Sequence, residues 1–168
     1  MKIGGHRFTE HIRLLLPVLG LVTAVWILRW IVSTSGVPIE ITRLVSLTTA
    51  TGVSIILAVL LIRSRRFGGY ASVVLASFIL NTWSQSLIVA AIIYAQISHK
   101  ENVYTLPAYS LPADQPTLLQ HVYEHITSGI GMGTIVSAAV GCLLLWLLRT
   151  LVPQKEMAAA AGEDEQEF

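Results

Sequence analysis

The chain has 168 residues, 54% of them hydrophobic and only 12% charged, against about 45–50% and about 25% in soluble domains, which excludes an ordinary soluble globular fold. A formal net charge of +1 supplies no field to draw nucleic acid, and no interleaved basic and aromatic pattern for RNA or DNA is present, so nucleic acid is not an expected partner. Cys142 is the single cysteine and forbids an intrachain disulfide.

A hydrocarbon core about 30 Å thick takes about 20 mostly apolar residues per helix. Four stretches meet that demand: residues 14–32, 41–62, 70–97 and 126–152. They predict an all-α polytopic membrane protein with four transmembrane helices, because lipid offers no partner to free backbone N–H and C=O groups. The domain then runs over residues 1–152. The first run is long, contains Arg29 and lacks a small-x-small cleavage site, so it reads as a retained span rather than a signal peptide. Between the first two runs, Ser33-Thr34-Ser35-Gly36-Val37-Pro38 carries turn chemistry. Arg63-Ser64-Arg65-Arg66-Phe67-Gly68-Gly69 makes a short basic turn before the third. The connection 98–120 is the one long loop, and 153–168 reads as a disordered acidic tail.

Basic residues orient the bundle, because cytoplasmic loops retain positive charge. Lys2, Arg7, Arg13, Arg63, Arg65, Arg66, Arg149 and Lys155 fall on one side, eight of the eleven. Both termini are therefore expected in the cytoplasm, with the protein in a cell (inner or cytoplasmic) membrane and 98–120 outside.

Within lipid, helices approach through small residues. Gly129, Gly133, Ser137 and Gly141 recur at four-residue steps in the fourth span, and Ser46, Ala50, Ser54 and Ala58 do so in the second. Each set lies on one helix face and reads as a close-packing surface. The third span has a polar middle in which Asn81, Ser84 and Gln85 stand at the depth of Thr48, Thr49 and Thr51 of the second. These groups predict interhelical hydrogen bonds, with a polar ligand path as the sharper reading. No Asp, Glu, Lys, Arg or His occupies the middle of a span, which argues against an ion pump, a proton relay or bis-histidine haem at the bilayer centre.

On the expected outer face, His121, Glu124 and His125 share one side of a helix at i, i+3 and i+4. His99 closes the third span at the same level, with Glu101 and Glu40 nearby. Imidazoles and carboxylates in this pattern can bind a transition metal or haem iron, so His99, His121, Glu124 and His125 form the candidate ligand set. His121-Val122-Tyr123-Glu124-His125 also spells the H-x-x-E-H pattern of inverzincin metalloproteases. The acids that follow begin at Glu156, across the membrane, and no soluble catalytic scaffold accompanies the motif. No other catalytic signature is present, so enzymatic activity is not expected. The reading that fits the chain as a whole is a structural or accessory subunit, packing against lipid and other membrane subunits or copies of itself. A metal- or haem-binding protein and a small transporter or ligand-binding bundle are the alternatives. Topology reporters fused at residues 66 and 110 are expected in opposite compartments; a shared compartment would overturn this arrangement.

Overall fold

The computed structural model describes residues 2–99, 102–105 and 118–151. A small antiparallel hairpin, β1 (Lys2–Ile3) and β2 (His6–Arg7), turns through Gly4 and Gly5, both at positive φ. Such a turn suits two glycines, since it places both central residues in the left-handed region. Then follow α1 (Phe8–Thr34), α2 (Ile39–Leu44), α3 (Leu47–Ser64) and α4 (Tyr70–Ser98). α5 (Leu118–Glu124) continues through a π-helical segment, His125–Met132, into α6 (Gly133–Leu151). The chain is an all-α membrane protein whose four apolar helices are long enough to cross a bilayer.

The apolar run 41–62 is not one helix. It is interrupted at Val45 and Ser46, because Ser46 adopts extended geometry (φ −97°, ψ 125°) and its hydroxyl accepts the Thr49 N–H at 3.3 Å. This is an N-cap, so α3 starts at Leu47. Its 18 residues rise about 27 Å, close to the thickness of the hydrocarbon core. α1 and α4 overrun that length with 27 and 29 residues. The fourth span likewise begins earlier than its apolar run, at α5. The acidic tail lies outside the described residues.

α3 and α4 pack on each other, and α1 and α6 each pack on both. Burial concentrates where they meet: Leu15 and Val18 of α1, Ala58 and Val59 of α3, Val73 and Leu80 of α4, and Leu145 of α6. Apolar surface elsewhere faces outward, as expected of a bundle solvated by lipid tails.

The two ends are closed differently. At the end carrying the basic residues, the hairpin docks on the α3–α4 turn. His11 is 1% exposed; its Nδ1–H donates to the Arg7 carbonyl at 3.0 Å, and its Nε2 accepts from the Ser72 hydroxyl at 3.2 Å. His6 stacks on Phe67 with ring centroids 3.7 Å apart, and Phe67 meets His11 edge-on at 4.9 Å. Gly68 lies at φ +71° with Ser72 directly over the position a Cβ would take. Arg149 of α6 covers the Tyr70 ring at 4.9 Å, which ties the fourth span to the same turn.

At the far end, residues 102–105 fold back on α4. Buried Asn102 donates its amide to the Ala91 carbonyl at 2.7 Å and accepts from the Tyr104 N–H at 2.9 Å. Val103 and Tyr104 then join Ala91 and Ile92 in a second apolar cluster beside Trp26 and Trp30. Arg29 lies 5.1 Å from the centre of the Tyr104 ring. Burial pushes the Tyr104 phenol up to about 12, with Arg29 opposing the shift.

Glycine substitutions in the hairpin and turn separate strain from contact. Gly5→Ala and Gly68→Ala both force a side chain into the left-handed region, at a cost of about 1–2 kcal/mol each. Space is open at Gly5 and filled by Ser72 at Gly68. Thermal unfolding in detergent should show the larger loss for Gly68→Ala; equal losses would mean that the docking of this turn is loose.

Candidate functional site

The polar residues of α4 meet the glycine row of the fourth span in a fixed register. A Cβ added to Gly129 would lie 2.5 Å from Gln85 Cδ, one on Gly133 2.7 Å from Asn81 Oδ1, and one on Gly141 2.8 Å from Val73 Cγ1. Each four-residue step toward α6's end is thus matched by a step back along α4. Missing Cβ atoms make the recesses into which the α4 side chains fit, as small residues do between membrane helices. Ser137, in the same row, accepts from Asn81 Nδ2 at 3.1 Å, and the second amide hydrogen goes to the Ser77 carbonyl at 2.8 Å.

One turn further, Gln85 Oε1 accepts from His125 Nδ1–H at 2.8 Å. An amide oxygen only accepts, so the hydrogen belongs to the imidazole. This bond joins the polar middle of α4 to the histidine pair that begins the fourth span. It sits at the junction of α5 and the π-helical segment, an uncommon geometry often found at functional sites.

On the α3 side the expected threonines part ways. Thr48 is exposed and faces away. Thr51 takes its place, with Oγ1 3.0 Å from the Ser84 hydroxyl, and also donates to the Leu47 carbonyl at 2.8 Å. Ala50, Ser54 and Ala58 are buried, whereas Ser46 is the cap described above. At Gly141 the fourth span also approaches α3, where an added Cβ would lie 3.4 Å from Ile55 and Val59, residues outside the Ala50, Ser54, Ala58 row. For the rest of the row the partner is α4.

Depth follows from the same register. Thr51 lies one turn inside the start of α3, so Ser84 and Gln85 come about 6 Å inside the level of that helix end. Counting back from Gly129, His125 comes level with the start of α3, and His121 one turn beyond. The histidines therefore stand level with, or one turn beyond, the start of α3.

His121 and His125 are half-buried, with ring centroids 5.0 Å apart. Glu124 is exposed. His99 is also exposed and caps α4 in the left-handed conformation, φ 53°. Along the α4–α6 register it lies about 9 Å beyond His121 and about 15 Å beyond His125 in axial rise. Among the described residues no three His, Cys, Asp or Glu side chains converge on a point that could hold a metal. His99, His121, Glu124 and His125 therefore do not assemble as a four-residue ligand set. Glu101 and the side chain of Glu40 lie outside the described residues.

Two features of this region had no signature in the sequence. Gln85 reaching His125 depends on the register of two helices far apart in the chain, and no residue pattern in His125–Met132 marks its π-helical geometry. Comparison with protein-family models, curated proteins and solved structures finds no match to this chain.

The Asn81–Ser137 bond can be weighed by a double-mutant cycle. Asn81→Leu combined with Ser137→Ala should reveal a coupling of about 0.6–1.7 kcal/mol, the range of hydrogen bonds between membrane helices. Additive effects on unfolding would show that the two helices do not communicate through this pair.

Proposed function

We propose that the protein is a structural or accessory subunit that works by packing its fourth span against a helix of another membrane chain. One observation carries this reading: the fourth span is the least enclosed of the four. Only Gly141 and Leu145 of α6 are buried, and no residue of the π-helical segment is. Within its most apolar stretch 11% of residues are buried, against 44% for α3 and 39% for α4. Its free face presents Ile135, Val136, Val140, Leu143 and Trp146.

The hydrogen bonding of Asn81, Ser84 and Gln85 supports the same reading. Their polar groups meet protein partners, which favours bundle cohesion over a path for polar solutes. Little of the described chain lies outside the four spans, so the surface it offers is mainly helix. The gathering of Arg63, Arg149 and the basic hairpin at one end supports an orientation with that end in the cytoplasm of a cell membrane.

A photo-crosslinker at Val140 tests this in native membranes. An adduct with a different polypeptide is expected, together with a mass in mild detergent above that of the 18.3 kDa chain. Adducts with lipid alone and a lone monomer would sink the proposal. A crosslink to a second copy would replace the foreign partner by self-association.

A further inference from the structure

His121 and His125 lie one helical turn apart with their ring planes inclined by 31° and their centroids at 5.0 Å. Side chains at i and i+4 share one face, and two imidazoles there can converge on a single small cation. His125 is fixed for that task. Its Nδ1–H is held by Gln85 Oε1 at 2.8 Å, which leaves the lone pair on Nε2. Metal-bound histidines are commonly oriented in this way, the second ring nitrogen donating to an oxygen that sets both tautomer and ring angle.

Gln85 is in turn held in place. Its Cγ, Cδ and Oε1 occupy the space over Gly129 that any larger residue would fill, at 2.5–3.0 Å from an added Cβ. The support reaches from the backbone of the fourth span, through an amide of α4, to one ring nitrogen. The position also suits a cation. Both rings lie level with or beyond the start of α3, near a helix end rather than at mid-span, where a charge would be costly.

We infer that His121 and His125 form a two-imidazole site for copper(II), with the remaining coordination positions open to water or to a donor from another molecule. Imidazole favours late first-row ions, and among these divalent ions copper(II) heads the affinity order. Magnesium and calcium, which take oxygen ligands, are poor candidates. The site needs neither His99 nor Glu101, and two protein ligands leave it weaker than a closed four-ligand zinc site. The inference is independent of the subunit role: either can fail while the other stands.

Full-length protein in mild detergent, stripped with chelator and titrated with copper(II) alone, provides the test. Binding should be accompanied by a paramagnetic resonance spectrum showing nitrogen couplings from two imidazoles. His121→Ala/His125→Ala should abolish that spectrum, while His6→Ala leaves it unchanged. Gln85→Leu and Gly129→Ala keep both imidazoles and should each weaken binding about 10–100-fold, the usual effect of losing the group that orients a ligand. Magnesium should give no thermal stabilisation under the same conditions. Wild-type protein whose copper spectrum lacks the two-nitrogen coupling would overturn the site, whatever the variants do. Equal copper content in wild type and the double variant would do the same, marking the metal as adventitious. Unchanged affinity in Gln85→Leu would overturn the supporting role of Gln85.

Discussion

An amide side chain surrounded by lipid tails must find its partner on a neighbouring helix, and in this protein the neighbour is the fourth span. Asn81 and Gln85 project from α4 far enough to collide with any ordinary helix at this distance. They fit because Gly133 and Gly129 present no Cβ at those two points. Close approach and hydrogen bonding are therefore one requirement. Without the glycines the amides could not reach Ser137 and His125; without the amides the glycines would leave gaps. The rest of the fourth span contributes little burial, so this row is what fixes its rotation and its height against the bundle.

That interlock also explains which parts of the design could be read from the residues. Four apolar runs separated by Gly, Pro and Arg specify four helices, and the structure has them. The row Gly129, Gly133, Ser137, Gly141 was legible as a close-contact face, since nothing else favours so many small residues at helical spacing. Its partner was not. A second row, Ala50, Ser54 and Ala58, has the same spacing, and spacing alone cannot tell small against small from small against large. The protruding amides decide the pairing. Thr48 and Thr51 show a related limit: choosing between them requires the rotation of α3, which depends on where Ser46 starts the helix. His99 was expected at the level of the other histidines, but the helix register sets it about 9–15 Å away along the axis.

The ends of the bundle solve another problem. A helix that overruns the bilayer exposes its last turns to water, where apolar packing with lipid no longer helps. At the basic end the solution is aromatic and polar: Phe67 lies between His6 and His11, and His11 satisfies both Arg7 and Ser72. At the far end it is a four-residue turn whose Asn102 bonds a carbonyl of α4 and whose Tyr104 slides under Arg29. Neither device follows a helical or strand period, so neither is visible to periodicity. Both depend on one buried polar side chain that joins a local partner to one on another element, Ser72 for His11 and Ala91 for Asn102.

Gln85 belongs to both halves of the argument. Its aliphatic part packs over Gly129, and its carbonyl oxygen holds the ring of His125. A force that moved the fourth span along α4 would shift both contacts together, because they share one side chain of fixed length. A helix docking on the free face of α6 would act on this joint, and so would a cation drawing His121 and His125 together. The π-helical segment lies between those two points of action, with one end at His125 and the other at Met132, just before α6. Packing of the fourth span and orientation of His125 thus share one amide side chain.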